Sequence, residues 1–262
     1  MEIDQFLIIG FIAVFAGTSA YFRLLKPSGA VAAFFTGISL WAGFGFKGLV
    51  LLGLFFLTSS LLSRYKSNHK EQLGELHEKG SARDWAQVAA NGGTAAIAGL
   101  VNFLSPDPVW FYVLAISLAS ANGDTWASEL GVLSKRQPLS IKSFKRVPRG
   151  TSGAISGVGT AAAAAGSLLI ALAAEYLFSL GAGWTLAVFL LGLTGTMLDT
   201  LLGAYLQAKF KCTSCNLLTE KPVHCSEPTD HVSGLFLMNN DAVNFLSCFT
   251  AAVGGMILYV II

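Results

Sequence analysis

The chain has 262 residues, 53% of them hydrophobic and 12% charged, with a net charge of +2 and a mean hydropathy of +0.62. A soluble domain carries about 25% charged residues, and here the apolar residues gather in runs of about 16–24, long enough to cross a bilayer at about 1.5 Å per residue. These figures exclude a soluble globular enzyme, a disordered chain and a disulfide scaffold, and 28 glycines against 7 prolines fit closely packed membrane helices.

The predicted fold is all-α: a polytopic transmembrane bundle of seven or eight spans, one integral membrane domain over 1–262. Candidate spans are about 4–22, 29–46, 48–63, 86–104, 109–123, 151–178, 184–206 and 241–262. The third and fifth are short, which predicts a segment that is re-entrant or tilted into protein. Glu2 and Asp4 precede the first run where a cleavable signal would carry basic residues, so that run reads as a retained span. Short links at Gly43–Lys47, Ser105–Pro108 and Ser179–Gly183 alternate with longer connections. The main loops fall at about 64–85, 124–150 and 207–240. If every span crosses, 16 of the 17 Lys and Arg lie on the long-loop side, with Lys47 alone opposite. The positive-inside rule then makes the long loops cytoplasmic and puts both termini outside a multi-pass cell-membrane protein. In the 64–85 connection Glu71, Glu75, Glu78 and Lys79 alternate with Leu73 and Leu76, the pattern of a solvated or interfacial helix.

Asn91 places an amide in the fourth span. Where the fifth span ends, Asp124 and Glu129 stand near hydrocarbon, a costly place for a carboxylate unless it meets a cation, a metal or water. Five residues apart, they diverge by roughly 140° on a continuous helix. Sharing one ligand therefore requires a break, which Gly123 and Gly131 permit; the alternative is a capped helix end with Glu129 in solvent. Next come Lys135, Arg136, Lys142, Lys145, Arg146 and Arg149 without an acid among them, running into Gly150, Thr151, Ser152 and Gly153. Bare amides at a helix start beside cations form an anion site. The alternative is an ordinary positive loop followed by a Gly153/Gly157 packing motif.

Asp199 lies inside the seventh span and Asp241 opens the last, with Asn240 and Asn244 beside it. An intramembrane acid is a functional-site candidate, although an interhelical hydrogen bond or a helix cap accounts for each of these residues as well. Hard oxygen ligands of this kind suit Mg²⁺ shared with nucleotide phosphates. Cys212, Cys215, His224 and Cys225, with His231 nearby, have the count and spacing of a Cys₃His zinc site; free or redox thiols, or a disulfide, are the alternatives. Cys248, in the last span, reads as packing.

Taken together, Ser28-Gly29-Ala30, Gln87–Gly93, Asp124–Gly131, Val147–Gly153, Asp199–Ala204 and Asn239–Asn244 resemble, in order and over nearly the whole chain, the integral membrane family known as domain of unknown function 92. That family includes transmembrane protein 19 and the phytyl-phosphate kinases of plants and cyanobacteria. The resemblance implies phosphoryl transfer from a nucleoside triphosphate, CTP or another, to an isoprenyl monophosphate. On that reading Asp124, Asp199 and Asp241 hold Mg²⁺, and Glu129 is a further ligand or base. Lys145, Arg146, Arg149 and the Gly150–Gly153 segment grip the nucleotide. The partners are an isoprenyl-phosphate lipid and membrane lipids, with no nucleic acid. Phosphoryl transfer needs positioning and charge neutralisation more than covalent help, and no Walker A sequence is present. The competing classes are a small-molecule or ion transporter and a non-catalytic lipid-binding membrane protein. A transporter requires polar groups through to the outer side, where Glu175 is the main one.

Overall fold

The computed structural model describes residues 3–65 and 82–262. Glu71, Glu75, Glu78 and Lys79 of the expected interfacial helix lie outside the described residues. The described residues form seven helices: α1 (Ile3–Tyr21), α2 (Pro27–Arg64), α3 (Trp85–Leu104), α4 (Val109–Gly131), α5 (Gly157–Phe178), α6 (Ala182–Tyr205) and α7 (Asn240–Ile261). Of these, α2, α5, α6 and α7 are each long and apolar enough to cross a bilayer. The all-α reading holds, with a small sheet added at one end.

α2 corresponds to two of the expected spans. Its 38 residues would extend about 57 Å if straight, but Gly45 has φ 64° and ψ −154°, outside the helical region. A Cβ at Gly48 would stand 2.9 Å from Leu40 O, and one at Gly37 3.8 Å from Leu49 Cδ2. Residues eight and twelve apart on a straight helix are separated by about 12 and 18 Å, so the chain reverses at Gly45 and α2 is a hairpin. Glycine alone takes this backbone without strain.

α3 begins where Asp84 and Gln87 cap it reciprocally: Asp84 Oδ1 accepts from Gln87 N and Gln87 Oε1 accepts from Asp84 N, both at 3.1 Å. α4 is the hub. Every residue from Val113 to Gly123 is buried, because α2, α3, α5, α6 and α7 all pack around it. Its apolar run is short since protein, not lipid, surrounds it, and Ser and Asn are tolerated where partners exist. The helix continues through Glu129 to Gly131, so the loop expected at 124–150 runs from 132 instead.

The connections segregate to opposite ends. At one end Lys26 N donates to Arg83 O at 2.8 Å, Arg64 donates to Phe22 O, and Gly153 lies against Ala204. At the other, Asn102 Nδ2 donates to Gly43 O at 2.6 Å. Phe44, Phe111 and Phe178 cluster there, and Tyr112 stacks on Trp184 with ring centroids 3.9 Å apart. Glu175 is consumed there by structure, accepting from Gly181 N at 2.7 Å and Thr185 Oγ1 at 2.9 Å.

At the long-loop end β1 (Leu139–Ser140) pairs with β2 (Ala154–Ile155). The 207–240 connection folds into β3 (Lys209–Cys212), β4 (Leu218–Thr219), β5 (Val223–His224) and β6 (Glu227–Ser233), an antiparallel sheet in the order β4-β3-β6-β5.

The hairpin arm crosses α3 with backbones in contact: a Cβ at Gly43 would fall 2.1 Å from Gly99 O, and one at Gly99 2.5 Å from Ser39 O. Gly43→Ala is expected to destabilise the solubilised protein by about 1–3 kcal/mol through overpacking. Gly53→Ala, which meets nothing within 4 Å, is expected to be neutral or stabilising by up to about 1 kcal/mol. Thermal unfolding followed by tryptophan fluorescence distinguishes the two.

Candidate functional site

Small residues let α4 and α6 cross closely. A Cβ at Gly192 would stand 2.6 Å from Ala119 Cβ, one at Gly195 2.2 Å from Ser120 Oγ, and one at Gly123 2.8 Å from Thr196 Oγ1. These contacts step along both helices toward the long-loop end, and the next acids on each are Asp124 and Asp199. Their carboxyl groups lie in hydrogen-bonding contact with each other, and both residues are half-buried. Asp199 Oδ2 also accepts from Ser247 Oγ at 3.2 Å. With the Asn244 amide oriented nitrogen-inward, its Nδ2 donates to Asp199 Oδ2 at 2.9 Å and to Asn240 O at 3.1 Å. Among the described residues, no Lys or Arg forms an ion pair with either carboxylate. Two touching carboxylates at a bundle end are stable only with a shared proton or a bound cation. The two acids could hold a divalent ion.

Neighbouring polar groups fix this arrangement. Asn122, fully buried two residues before Asp124 and on the opposite side of α4, donates to Gly166 O at 2.8 Å and accepts from Thr58 Oγ1 at 3.2 Å and Ser59 Oγ at 3.3 Å. It ties α4 to α5 and to the α2 hairpin. Beside each acid a threonine hydroxyl donates to the carbonyl four residues back, Thr125 Oγ1 to Ala121 O at 2.8 Å and Thr200 Oγ1 to Thr196 O at 3.1 Å.

Other candidates sit elsewhere. α4 is unbroken at Gly123, so Glu129 turns away from Asp124, and Ser63 Oγ donates to its Oε1 at 2.5 Å. It also faces Arg83, whose guanidinium desolvation holds below its ordinary value while Glu129 counters. Asp241 occupies the first turn of α7, three residues before Asn244, and that helix is capped by Asn239, whose Oδ1 accepts from Ala242 N at 3.0 Å. Asn240 is exposed. Asn91 Nδ2 donates to Gln87 O at 3.0 Å, while its buried Oδ1 has no hydrogen-bond partner among the described residues.

The glycine-rich stretch does not open a helix as expected. α5 starts at Gly157, capped by Ser156, whose Oγ accepts from Gly159 N at 3.1 Å. Gly150–Gly153 instead form the turn leading into β2. A glycine is required at 153: its φ is 76°, and a Cβ would collide with Ala204 Cα at 2.4 Å. Gly153 and Gly157 therefore do not form a helix-packing pair. The turn rests on Gly203 and Ala204, one helical turn beyond Asp199. Arg146 Nη1 donates to Gln137 O at 2.7 Å and Arg149 Nη2 to Lys135 O at 3.0 Å, while Thr151 Oγ1 donates to Pro148 O at 2.8 Å. Lys145 is exposed on the same loop.

Two groups that the sequence does not single out, Glu220 and Lys209, join two that it does, Ser152 and Lys142. Ser152 Oγ donates to Glu220, and Glu220 lies close enough to Asp199 to act on it electrostatically. Lys209 is held below its ordinary range by desolvation and by Lys142, with Glu220 opposing. Lys142 Nζ lies 5.9 Å from the Tyr205 ring centroid, at the end of α6. Nothing in the spacing of Glu220 and Lys209 marks them, since both come from a connection whose fold the sequence does not announce.

Cys212, Cys215, His224 and Cys225 come together, their ligand atoms within 4.8 Å of one another. His231 does not join them: it packs between Phe210 and Phe236, centroids 5.5 and 5.9 Å away. Backbone N–H groups of Cys215 and Ser214, with the His224 ring, lower the Cys212 thiol to about 6 against the effect of desolvation. Cys225 is pushed up to about 11 by its hydrogen bond to Cys215, by desolvation and by Cys212. Cys248 is buried in the helical core.

The model of the family described as integral membrane protein DUF92 matches residues 10–252, from within α1 to within α7. The chain belongs to that family. It is 32% identical to Protein PGR of Arabidopsis thaliana, over 86% of this chain and 85% of that one. An uncharacterised membrane protein of Methanocaldococcus jannaschii is 29% identical over 99% of both chains. The chloroplastic protein VTE6 of Arabidopsis thaliana is 27% identical over 56% of this chain and 46% of its own. No solved structure matches the chain.

Replacing one of two touching carboxylates with an isosteric amide removes like-charge repulsion and keeps a hydrogen bond. Asp124→Asn and Asp199→Asn are each expected to raise the melting temperature of protein held in chelator by a few degrees. A drop of similar size in both variants would mean that the pair is a net structural contact.

Proposed function

We propose that this protein is a membrane phosphotransferase that moves a phosphoryl group from a nucleoside triphosphate to an isoprenyl monophosphate, giving the diphosphate. One observation carries the reading: the paired carboxylates of Asp124 and Asp199 lie one helical turn from a glycine turn set in a cationic loop. The resemblance of the motifs to a family that includes phytyl-phosphate kinases supports the same reading, as does the kinship with VTE6.

The chemistry follows from charge. An oxygen of the acceptor phosphate attacks the terminal phosphorus of the donor, the bond to the bridging oxygen breaks, and the nucleoside diphosphate leaves. The acceptor is already ionised, so no general base is required and Glu129 is free for its structural role. The donor set is hard and anionic, which fits Mg²⁺; Asp124 and Asp199 would hold it, with Glu220 close enough to act on Asp199. Bound there, Mg²⁺ would neutralise phosphate charge. Lys142 and Lys209 face the same end of α6 and supply countercharge, while Arg146 and Arg149 hold the loop by its carbonyls. Gly150, Thr151, Ser152 and Gly153 present backbone unencumbered by large side chains.

An apolar groove of about 580 Å³ runs between α3, α4 and α7, lined by Thr94, Ile97, Trp110, Val113, Phe249 and Met256 among others. On α3 its lining reaches Thr94, one turn from Asn91 on the side of the long-loop end, so an isoprenoid tail seated there would direct its phosphate toward that end. A conduction path is disfavoured by the packing behind the pair, where Gly195 meets Ser120 and Gly123 meets Thr196 and Ser167.

Purified protein with Mg²⁺ is expected to phosphorylate phytyl or farnesyl phosphate with at least one of CTP, ATP, GTP and UTP. Asp124→Asn and Asp199→Asn should each cost at least about a hundredfold in kcat. Lys209→Ala should act chiefly on the nucleotide KM. Wild-type protein inert across the whole panel would sink the proposal and return the chain to transport or lipid binding. For orientation, Lys47→Cys should react with an impermeant maleimide on intact cells, and Lys145→Cys only after permeabilisation, each site read by peptide mapping; the reverse pattern would overturn cytoplasmic loops.

A further inference from the structure

We propose that Cys212, Cys215, His224 and Cys225 bind one structural Zn²⁺ that locks the β3–β6 sheet into the shape seen here. Zn–S and Zn–N bonds of about 2.3 and 2.0–2.1 Å place tetrahedral ligand atoms roughly 3.5–3.8 Å apart. The four atoms already approach that figure: His224 Nδ1 lies 3.5 Å from Cys215 Sγ and 3.2 Å from Cys225 Sγ, and the widest separation in the set stays within 4.8 Å. Two of the six edges thus lie within about 0.4 Å of the tetrahedral figure.

The backbone is arranged for the same end. The ligands come from two turns, Cys212–Cys215 leading out of β3 and His224–Cys225 joining β5 to β6. In the first, Asn216 N donates to Cys212 O at 3.0 Å and Cys212 N to Leu217 O at 2.9 Å. N–H groups of Cys215 and Ser214 point at the Cys212 sulfur, the outer contacts that orient a metal-bound thiolate. Asn216, Cys225 and Ser226 are all held at positive φ (61°, 53° and 64°) without being glycine. Such conformations persist where the surroundings over-determine them, and a four-coordinate ion joining both turns does so. β4 and β5 have two residues each, too few to hold an isolated sheet edge.

A soft, sulfur-rich set of four selects Zn²⁺ over Mg²⁺ or Ca²⁺. All four positions are protein ligands, so no open position is left for substrate and the ion is structural. Its reach extends through Glu220, which follows β4 and accepts from Ser152 of the glycine turn.

Metal analysis of the purified full-length chain, freed of any histidine tag, should find one zinc per chain. Cys215→Ser and Cys225→Ser should lose it, and Cys248→Ser should keep it. Because the first two variants can fail for lack of folding, wild-type protein exchanged into Co²⁺ provides the second readout: a thiolate-to-cobalt charge-transfer band with tetrahedral d–d absorption. In addition, alkylation of Cys215 and Cys225 should accelerate on adding chelator while α-helical circular dichroism persists. Folded wild-type protein without zinc, a disulfide among Cys212, Cys215 and Cys225, or unchanged zinc in both serine variants would each overturn the site. None of these readouts depends on kinase activity.

Discussion

The contact between the Asp124 and Asp199 carboxylates constrains everything around it. Like charges at the edge of hydrocarbon repel and are poorly solvated, so they touch only where the chain forces them together. The force comes from packing. Gly123, Gly192 and Gly195 remove the side chains that would hold α4 and α6 apart, and Ala119, Ser120 and Thr196 fill the seam. In a bilayer, where apolar surface gains little from leaving lipid, such close contact is the main source of helix association. The same feature that stabilises the crossing thus delivers the unfavourable pair. α7 then contributes Ser247 and Asn244 as donors to Asp199, and Asn122 anchors α4 from behind by three hydrogen bonds.

That arrangement explains which parts of the molecule are legible in the sequence. The spans are legible because hydrocarbon imposes length and apolarity on each segment separately, a local constraint. Even the tight reversal at Gly45 shows as two short runs around Gly43–Lys47. Asp124 and Asp199 stand out for the same reason: an acid in an apolar run is locally anomalous. Their meeting is a long-range fact, 75 positions apart in the chain. Glu129 illustrates the opposite error. Nearness in sequence grouped it with Asp124, but an unbroken helix sends it toward Ser63 and Arg83. Gly150–Gly153 were misread because bare backbone suits both a helix start and a tight turn; the positive φ of Gly150 and Gly153 decides for the turn, and no sequence pattern records φ. Glu220 and Lys209 were invisible because the sheet that carries them has strands of two to seven residues, below the length at which alternation becomes a signal.

The loops at this end are a built surface, not slack chain between helices. The β1–β2 pair fixes both ends of the cationic loop, and Arg146 and Arg149 spend hydrogen bonds on its own carbonyls. The sheet of the last long connection leans on the glycine turn through Glu220 and Ser152. The turn in turn rides on Gly203 and Ala204 of α6. A charge placed on the sheet is therefore positioned relative to Asp199 by a short series of contacts, each one between backbone or capped side chains with little freedom. A rigid mount of this kind is what phosphate recognition needs, since cations on floppy loops lose much of their attraction to the entropy of ordering them.

The asymmetry of the bundle carries the last step. Its far end is closed by ring stacking and by the Gly43–Gly99 contact, and Glu175 there accepts from Gly181 N just before the following helix. The near end holds the uncompensated carboxylates, the cations and the glycine turn. A conduit distributes polar groups along its length so that a solute never meets bare hydrocarbon; here the carboxylate pair and the cations gather at one face, and buried polar side chains deeper in the bundle, such as Ser167 and Asn102, are spent on neighbouring backbone. Repulsion between the two aspartates is relieved by a shared proton or by a cation arriving from that face, and an ion carrying phosphates would itself be drawn by Lys142 and Lys209. The electrostatics of the pair and of the loop are thus complementary halves of one requirement.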